Sequence, residues 1–263
     1  MTATEPDVSR HLLTTYQKGA SVALLFDYDG TLAPIAPHPW LAEMPADTRG
    51  ILKQLSRRPR LSIGVLSGRA LDELIQMVGL ADLYYCGTSG LELDLRGKRI
   101  LPPESDQIGA LMENLARALH NVAAGASGAW VERKPLGLTV HYRGVEPALI
   151  PAFRERINLI IQAARDKVRA VPGRAAIEVT PNIGWTKGSA VRSILEHIGP
   201  NTFPFYAGDS GNDAAGMDAV RSLGGITLGI GMQAPASASR CLAGPAELAA
   251  LLQNFLRDLE RQR

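Results

Sequence analysis

Short apolar runs, each closed by small or acidic polar residues, recur along this chain and constrain its fold most. Val22–Phe26 runs into Asp27-Tyr28-Asp29-Gly30, Leu61–Leu66 into Ser67-Gly68-Arg69, and Phe203–Ala207 into Gly208-Asp209-Ser210-Gly211-Asn212-Asp213. Five or six continuous apolar residues read as a strand buried on both faces, which is the habit of parallel sheets. Segments with helical spacing lie between the runs, at Ala46–Leu55, Ala70–Met77, Ser189–His197, Met217–Leu223 and Pro245–Asp258, and Leu83–Cys86 and Gly225–Ile230 add further strands. This alternation predicts an α/β fold, a doubly wound Rossmann-like parallel sheet, whose chemistry belongs at the carboxyl ends of the strands.

The pattern breaks once. A hairpin is expected over Ser89–Leu95 and Arg99–Leu101, and Pro102-Pro103 follows it. Then come a helix (Asp106–Asn121), two strands (Ala129–Lys134 and Leu138–Arg143), a second helix (Pro147–Asp166), and two more strands (Val168–Val171 and Ala176–Thr180) across Pro172-Gly173-Arg174. That repeated order is an α+β unit inserted in the α/β domain. Residues 104–183 form the insert, and residues 1–103 and 184–263 form the core. A cleft between the two parts is a natural ligand site.

Composition excludes several classes. The formal charge of +2 over 263 residues, with 5% aromatic content, disfavours nucleic-acid binding. No apolar run reaches membrane-spanning length, and the first seventeen residues lack the order of a signal peptide. Two cysteines, Cys86 and Cys241, suit a reducing compartment, so a cytoplasmic enzyme is the default expectation. A monomer is expected, although no sequence feature sets the oligomeric state. Residues 1–20 carry no motif and read as a short helix or a disordered lead.

Four segments carry polar groups where such a sheet would use them. Asp27 and Asp29 follow the first strand; if the chain stays extended, both point the same way. Two carboxylates that close need a cation or a shared proton between them; Mg²⁺ is a suited cation, and an Asp-Gly turn also explains the pair. Ser67 fits an anion site at a helix start, with Gly68 and Arg69, although taken alone a serine there is more often a plain N-cap. Lys187 opens a helix where it can hold a phosphate oxygen or lie solvated. Asp209 and Asp213 can complete a set of oxygen ligands for a metal, or serve as a helix cap and first-turn acid.

Together, Asp-x-Asp-Gly-Thr at 27–31, then Ser67, Lys187 and Gly-Asp-x-x-x-Asp at 208–213, resemble the haloacid dehalogenase superfamily of phosphotransferases, the insert standing where that superfamily places a cap. Asp27 to Ile35 with Pro37-His38-Pro39, Leu66-Ser67-Gly68-Arg69, Val131-Glu132-Arg133-Lys134, Val140-His141-Tyr142-Arg143, Gly173 to Val179 and Trp185-Thr186-Lys187-Gly188 are similar to trehalose-6-phosphate phosphatases. The resemblance covers residues 20–250. It implies a Mg²⁺-dependent phosphatase acting on a small sugar phosphate, trehalose 6-phosphate. Asp27 would be the nucleophile and Asp29 the general acid and base, with Ser67 and Lys187 on the phosphate and Gly68 and Arg69 beside it. Asp27, Asp29 (by its carbonyl), Asp209 and Asp213 would form the metal site. Glu132, Lys134 and Glu178 would meet the sugar, although the solvent face of an antiparallel sheet also explains such charges. For Arg69 the plain alternative is a surface ion pair.

The chain departs from the family at two places. Gly87-Thr88-Ser89-Gly90-Leu91-Glu92 has Ser89 where the family carries a sugar-contacting histidine, and Gly208-Asp209-Ser210-Gly211-Asn212-Asp213-Ala214 replaces Gly-Asp-Asp-x-Thr-Asp-Glu. These keep open a phosphatase of another glycosyl phosphate, such as a mannosyl- or glucosyl-phosphoglycerate or sucrose phosphate; a non-catalytic sugar-phosphate sensor is a separate alternative, to which loss of Asp27, Asp29, Lys187 or Asp209 would point, and all four are present.

Overall fold

In a computed structural model, which describes residues 5–173 and 175–261, eight strands build one sheet. In chain order they are β1 (Ser21–Asp27), β2 (Leu61–Leu66), β3 (Tyr84–Gly87), β4 (Glu92–Leu95), β5 (Lys98–Ile100), β10 (Thr202–Gly208), β11 (Ile226–Ile230) and β12 (Arg240–Leu242). Their spatial order is β12–β11–β10–β1–β2–β3–β4–β5, with β4 and β5 antiparallel and the rest parallel. The chain winds outward from β1 to β3, then returns to β10 on the other side of β1. The switch point therefore lies between β1 and β10, where Asp27 and Asp209 end their strands.

Alternation along β1 sorts its side chains between two cores. Val22, Leu24 and Phe26 face helices α1 (Glu5–Gln17), α2 (Ala46–Ser56), α3 (Leu71–Val78) and α8 (Pro245–Glu260). Ala23 and Leu25 face α6 (Lys187–Ile198) and α7 (Ala214–Ser222). Continuing that period, Asp27 points toward the α6 side, and so does Tyr206 of β10. Lys187 is the first residue of α6. Its position is fixed by a capping box: Thr186 Oγ1 accepts from the Gly188 and Ser189 amides, and Ser189 Oγ accepts from the Thr186 amide at 2.7 Å.

Residues between β5 and α6 form a second sheet, ordered β6–β7–β9–β8 and antiparallel throughout. Its strands are β6 (Trp130–Lys134), β7 (Gly137–His141), β8 (Val168–Gly173) and β9 (Ala176–Pro181). Helices α4 (Ser105–Ala124) and α5 (Ile150–Ala163) cover one face through Leu138, Val140, Ile177 and Val179. The other face carries a cross-strand row, Glu132 opposite Thr139 opposite Glu178 opposite Val171. Trp130 and Lys134, two residues either side of Glu132, share that face.

Several expectations need correction. The strand ends at Asp27, and a turn follows in which Gly30 adopts φ +90° and the Leu32 and Ala33 amides return to the Tyr28 carbonyl. The extended-chain reason for pairing Asp27 with Asp29 therefore fails. Thr88–Gly90 is a 3₁₀ turn, so the hairpin begins at Glu92, not Ser89. Helix α7 begins at Ala214, and Pro147–Leu149 is a 3₁₀ turn ahead of α5. Of the two readings of the lead, the helix holds: α1 buries Val8 and Leu12, whereas β12 was not expected. Residues 1–4 and Arg174, in the expected Pro172-Gly173-Arg174 turn, lie outside the described residues.

Candidate active site

A cavity of about 700 Å³ lies between the carboxyl edge of the large sheet and the open face of the small one. Every candidate residue lines it except Lys187 and Asp213, which are buried behind Asp27. Lys187 is 1% exposed, so the solvated-lysine alternative does not hold. Its ammonium donates to Asp27 Oδ1 and to Asp213 Oδ1, each at 2.7 Å. Asp213 Oδ1 also accepts from the Tyr206 hydroxyl at 2.8 Å, and its Oδ2 accepts from the Asp209 and Ser210 amides at 3.0 and 3.2 Å. Both oxygens of Asp213 are thus occupied in holding Lys187 and the turn that carries Asp209. Tyr206 escaped sequence reasoning; its one signal is a phenol inside an apolar strand, which needs a partner once buried.

Asp27 differs from Asp213. Its Oδ2 is buried and has no protein partner. Carboxylate oxygens of Asp27, Asp209 and Asp213 lie within 4.8 Å of one another, with a single ammonium among them. Burial, then the charge of Asp213, pushes the Asp27 carboxyl well above its ordinary value, against the pull of Lys187. Burial and Asp213 push Asp209 up to about 7. For Lys187 burial opposes the charge, but Asp213 and Asp27 outweigh it and hold the ammonium well above its ordinary range. A cluster with more negative than positive charge and one unengaged hard oxygen suits a further cation. Glycine is required at 30, because a Cβ there would meet Asp209 Oδ2 at 2.3 Å.

Asp29 turns the other way. The Arg69 guanidinium grips it in a fork, Nε to Oδ2 and Nη2 to Oδ1, both 2.7 Å, and also reaches Glu73 and the Pro39 carbonyl. Arg69 is 5% exposed and lines the cavity with the half-buried Asp29, so this is not a contact of the outer surface. Ser67 sits at the end of β2, where its hydroxyl accepts from the Arg69 amide at 3.2 Å. Gly68 lets the small sheet approach: a Cβ there would lie 2.9 Å from Glu178.

The charged row on the small sheet does not face solvent. The large domain covers it, and its members pair with one another. Lys134 donates to Thr139 at 2.7 Å and lies 3.7 and 3.8 Å from Glu132 and Glu178. His141 Nε2 meets Glu132 at 2.7 Å. Burial would raise Glu132, but the His141 contact and Lys134 outweigh it and hold the carboxyl below its ordinary value. Ser89 Oγ donates to Glu178 Oε1 at 2.7 Å. The serine that departs from the resemblance therefore positions a cavity carboxylate. In the other departing motif, Asn212 accepts from Ser210 Oγ at 3.0 Å and lies 3.4 Å from the Lys187 ammonium.

A family model described as Trehalose-phosphatase matches residues 25–240. The chain belongs to the trehalose-phosphatase family. Probable trehalose-phosphate phosphatase 3 of Oryza sativa subsp. japonica is 29% identical over 267 residues, which cover 92% of this chain and 70% of that protein. The trehalose-phosphate phosphatase of Mycolicibacterium paratuberculosis is 33% identical over 225 residues, covering 81% of this chain and 54% of that one. The structure of the C-terminal domain of C. albicans trehalose-6-phosphate phosphatase matches with a TM-score of 0.85 at 23% identity, over 95% of this chain and 96% of that one, a likeness of fold. As a trehalose-phosphatase family member the chain is a phosphoric monoester hydrolase with a site for a divalent metal, which the acidic cluster around Asp27 fits. Among the described residues no helix is long and apolar enough to cross a membrane.

Proposed function

We propose that this chain hydrolyses trehalose 6-phosphate to trehalose and phosphate, with Mg²⁺, through an aspartyl-phosphate (an acyl phosphate) on Asp27. The observation that carries the chemistry is Asp27 itself. One of its oxygens is held by Lys187 and the other is buried at the cavity without a partner. The substrate follows from the family and from a cavity that pairs a phosphate end with a row of polar groups suited to sugar hydroxyls. Asp27 and Asp209 would hold Mg²⁺, with the backbone carbonyl of Asp29, while Asp213 keeps the turn and Lys187 in place. When bound, the metal supplies positive charge against the phosphate oxygens.

The residues divide the work. Asp27 Oδ2 attacks phosphorus and the bond from phosphorus to the sugar oxygen breaks. Asp29 gives that oxygen a proton, then takes one from the water that hydrolyses the aspartyl-phosphate and frees Asp27. Both Asp29 oxygens accept from Arg69, so the acid role requires Arg69 to release one of them, and an incoming phosphate anion competes for that guanidinium. Ser67, the Gly68 backbone and Lys187 stabilise the charge that develops on the phosphoryl oxygens. Residues 104–183 act as a cap whose Glu132, Lys134 and Glu178 select the sugar. The Arg143 guanidinium, bonded to the Ala36 and Pro37 carbonyls of the core, ties the cap down and keeps water out during attack. A reducing, cytoplasmic setting agrees with two free thiols, Cys86 and Cys241.

The test is Mg²⁺-dependent phosphate release from trehalose 6-phosphate, sucrose 6-phosphate, mannosyl- and glucosyl-phosphoglycerate and glucose 6-phosphate. Trehalose 6-phosphate is expected to give the highest kcat/KM. A preference for another of these would keep the chemistry and reject the substrate, and release from none would reject the enzyme.

Metal binding has a pH signature. The native, metal-free protein holds a proton on Asp209 up to pH about 7, above the ordinary carboxylate range. Stability from this group therefore falls as pH rises through that window, and a metal that replaces the proton recovers more at high pH. The rise in Tm on adding Mg²⁺ is expected to be larger at about pH 8 than at about pH 6. An equal rise at both would show that Asp209 does not give up a proton to the metal.

A further inference from the structure

The cavity has an aromatic wall as well as a polar one. Trp130 and His141 are cross-strand partners on the open face of the small sheet, stacked with centroids 4.1 Å apart and planes 13° from parallel. From the other domain, the 3₁₀ turn Pro39–Leu41 brings up Trp40, which stacks on His38 at 4.6 Å and 5°. The indoles of Trp40 and Trp130 meet at 5.8 Å, so four rings run continuously from core to cap along one side of the cavity. His141 joins this wall to the polar row through Glu132.

Trp40 is 63% exposed. A large ring so exposed contributes little to the core, and its neighbours in the cavity are the groups assigned to the substrate. A pyranose presents hydroxyls around its rim and C–H groups on its faces. The polar row answers the rim, and among the described residues the aromatic wall supplies the flat apolar surface for a face. Phosphate transfer at Asp27 needs only the phosphorylated ring nearby, whereas a wall spanning both domains extends the site beyond it. From this geometry we infer that Trp40, with Trp130, is a specificity-determining platform for the second, unphosphorylated sugar ring of a disaccharide phosphate. This rests on the reading of the chain as a sugar phosphatase and adds the residues that distinguish two rings from one. Because Trp40 comes from the core and Trp130 from the cap, the platform is complete only with the domains together.

Trp40→Ala and Trp40→Phe, compared with the unaltered enzyme, test this on trehalose 6-phosphate and on glucose 6-phosphate, which has the phosphorylated ring but no second one. Trp40→Ala is expected to reduce the preference for trehalose 6-phosphate by roughly tenfold, mainly through a higher KM, and Trp40→Phe to retain most of it. Adding unphosphorylated trehalose to the metal-free protein gives a second readout: indole fluorescence changes in the unaltered protein and much less in Trp40→Ala. An equal loss on both substrates would make Trp40 part of the closure alone and overturn the inference. An unchanged preference would also overturn it. If the unaltered enzyme releases phosphate yet shows no preference for trehalose 6-phosphate, the substrate reading fails first and this inference falls with it.

Discussion

Replacing Asp27 by asparagine is expected to lower kcat by roughly 10⁴-fold or more while leaving the metal-free protein as stable as before, or about 1 kcal/mol more stable. The two halves of this result have one cause. Asp27 is buried beside Asp213 and near Asp209, and those two charges, with burial, raise its carboxyl well above the usual range. Lys187 is one cation among three carboxylates. An amide removes one of the repelling charges and keeps an oxygen for the Lys187 ammonium, but it has no free carboxylate oxygen to attack phosphorus. Selection for stability alone would have removed this charge, so its presence is explained by chemistry. Phosphate release from trehalose 6-phosphate and thermal melts without metal measure the two halves. Substantial turnover by Asp27→Asn would show that another group makes the bond to phosphorus. A large loss of stability with no activity would mean that Asp27 is needed mainly to neutralise Lys187.

The fold was legible where the chain's local pattern has one physical explanation. The five apolar runs became strands because a segment such as Val22–Phe26 satisfies both faces of a parallel sheet, and Thr186 and Ser189 set the start of α6 by bonds within four residues. The positions of Asp27, Ser67 and Asp209 followed, since each stands where such a strand ends. What the sequence could not yield was which charge meets which. Lys187 and Asp27 are 160 positions apart, Ser89 and Glu178 are 89, and Arg69 and Asp29 are 40. A lysine at a helix start looks solvated until the sheet carries two carboxylates to it. The charges of β6 and β9 look like a wet sheet face until a second domain covers that face. The same limit explains Tyr206, whose phenol matters only because Asp213 arrives beside it. Helix α1 was left undecided between helix and disorder for a different reason: its apolar contacts, Val8 and Leu12, stand among polar residues and are buried by α8, from the opposite end of the chain.

Lys187→Met is expected to be the most damaging single change to the fold of this site, costing about 3–5 kcal/mol. Methionine fills much of the volume but leaves Asp27 and Asp213 facing one another with no cation between them. Both are buried: the Asp213 side chain is 0% exposed and that of Asp27 5%. Asp213 still accepts from Tyr206 and two backbone amides, whereas Asp27 loses its one partner and takes up a proton. The sign of the pH effect follows. A carboxyl whose native pKa is raised further makes the native state hold more protons than the unfolded state as pH rises, so the variant's deficit grows from acid toward neutral pH. Activity is lost for the same reason, since a protonated Asp27 is no nucleophile and the phosphoryl oxygens have lost a fixed cation; a fall of roughly 10³-fold or more is expected. Urea unfolding of the unaltered and Lys187→Met proteins at about pH 5 and about pH 8 measures the difference. A deficit that is small, or that shrinks toward neutral pH, would mean that Lys187 is held near these carboxylates without compensating them. Mg²⁺ sharpens the distinction. Asp27 and Asp209 would each give up a proton to a bound metal, so added Mg²⁺ is expected to recover part of the stability lost in Lys187→Met but little of the activity, because the fixed ammonium beside Asp27 is still missing.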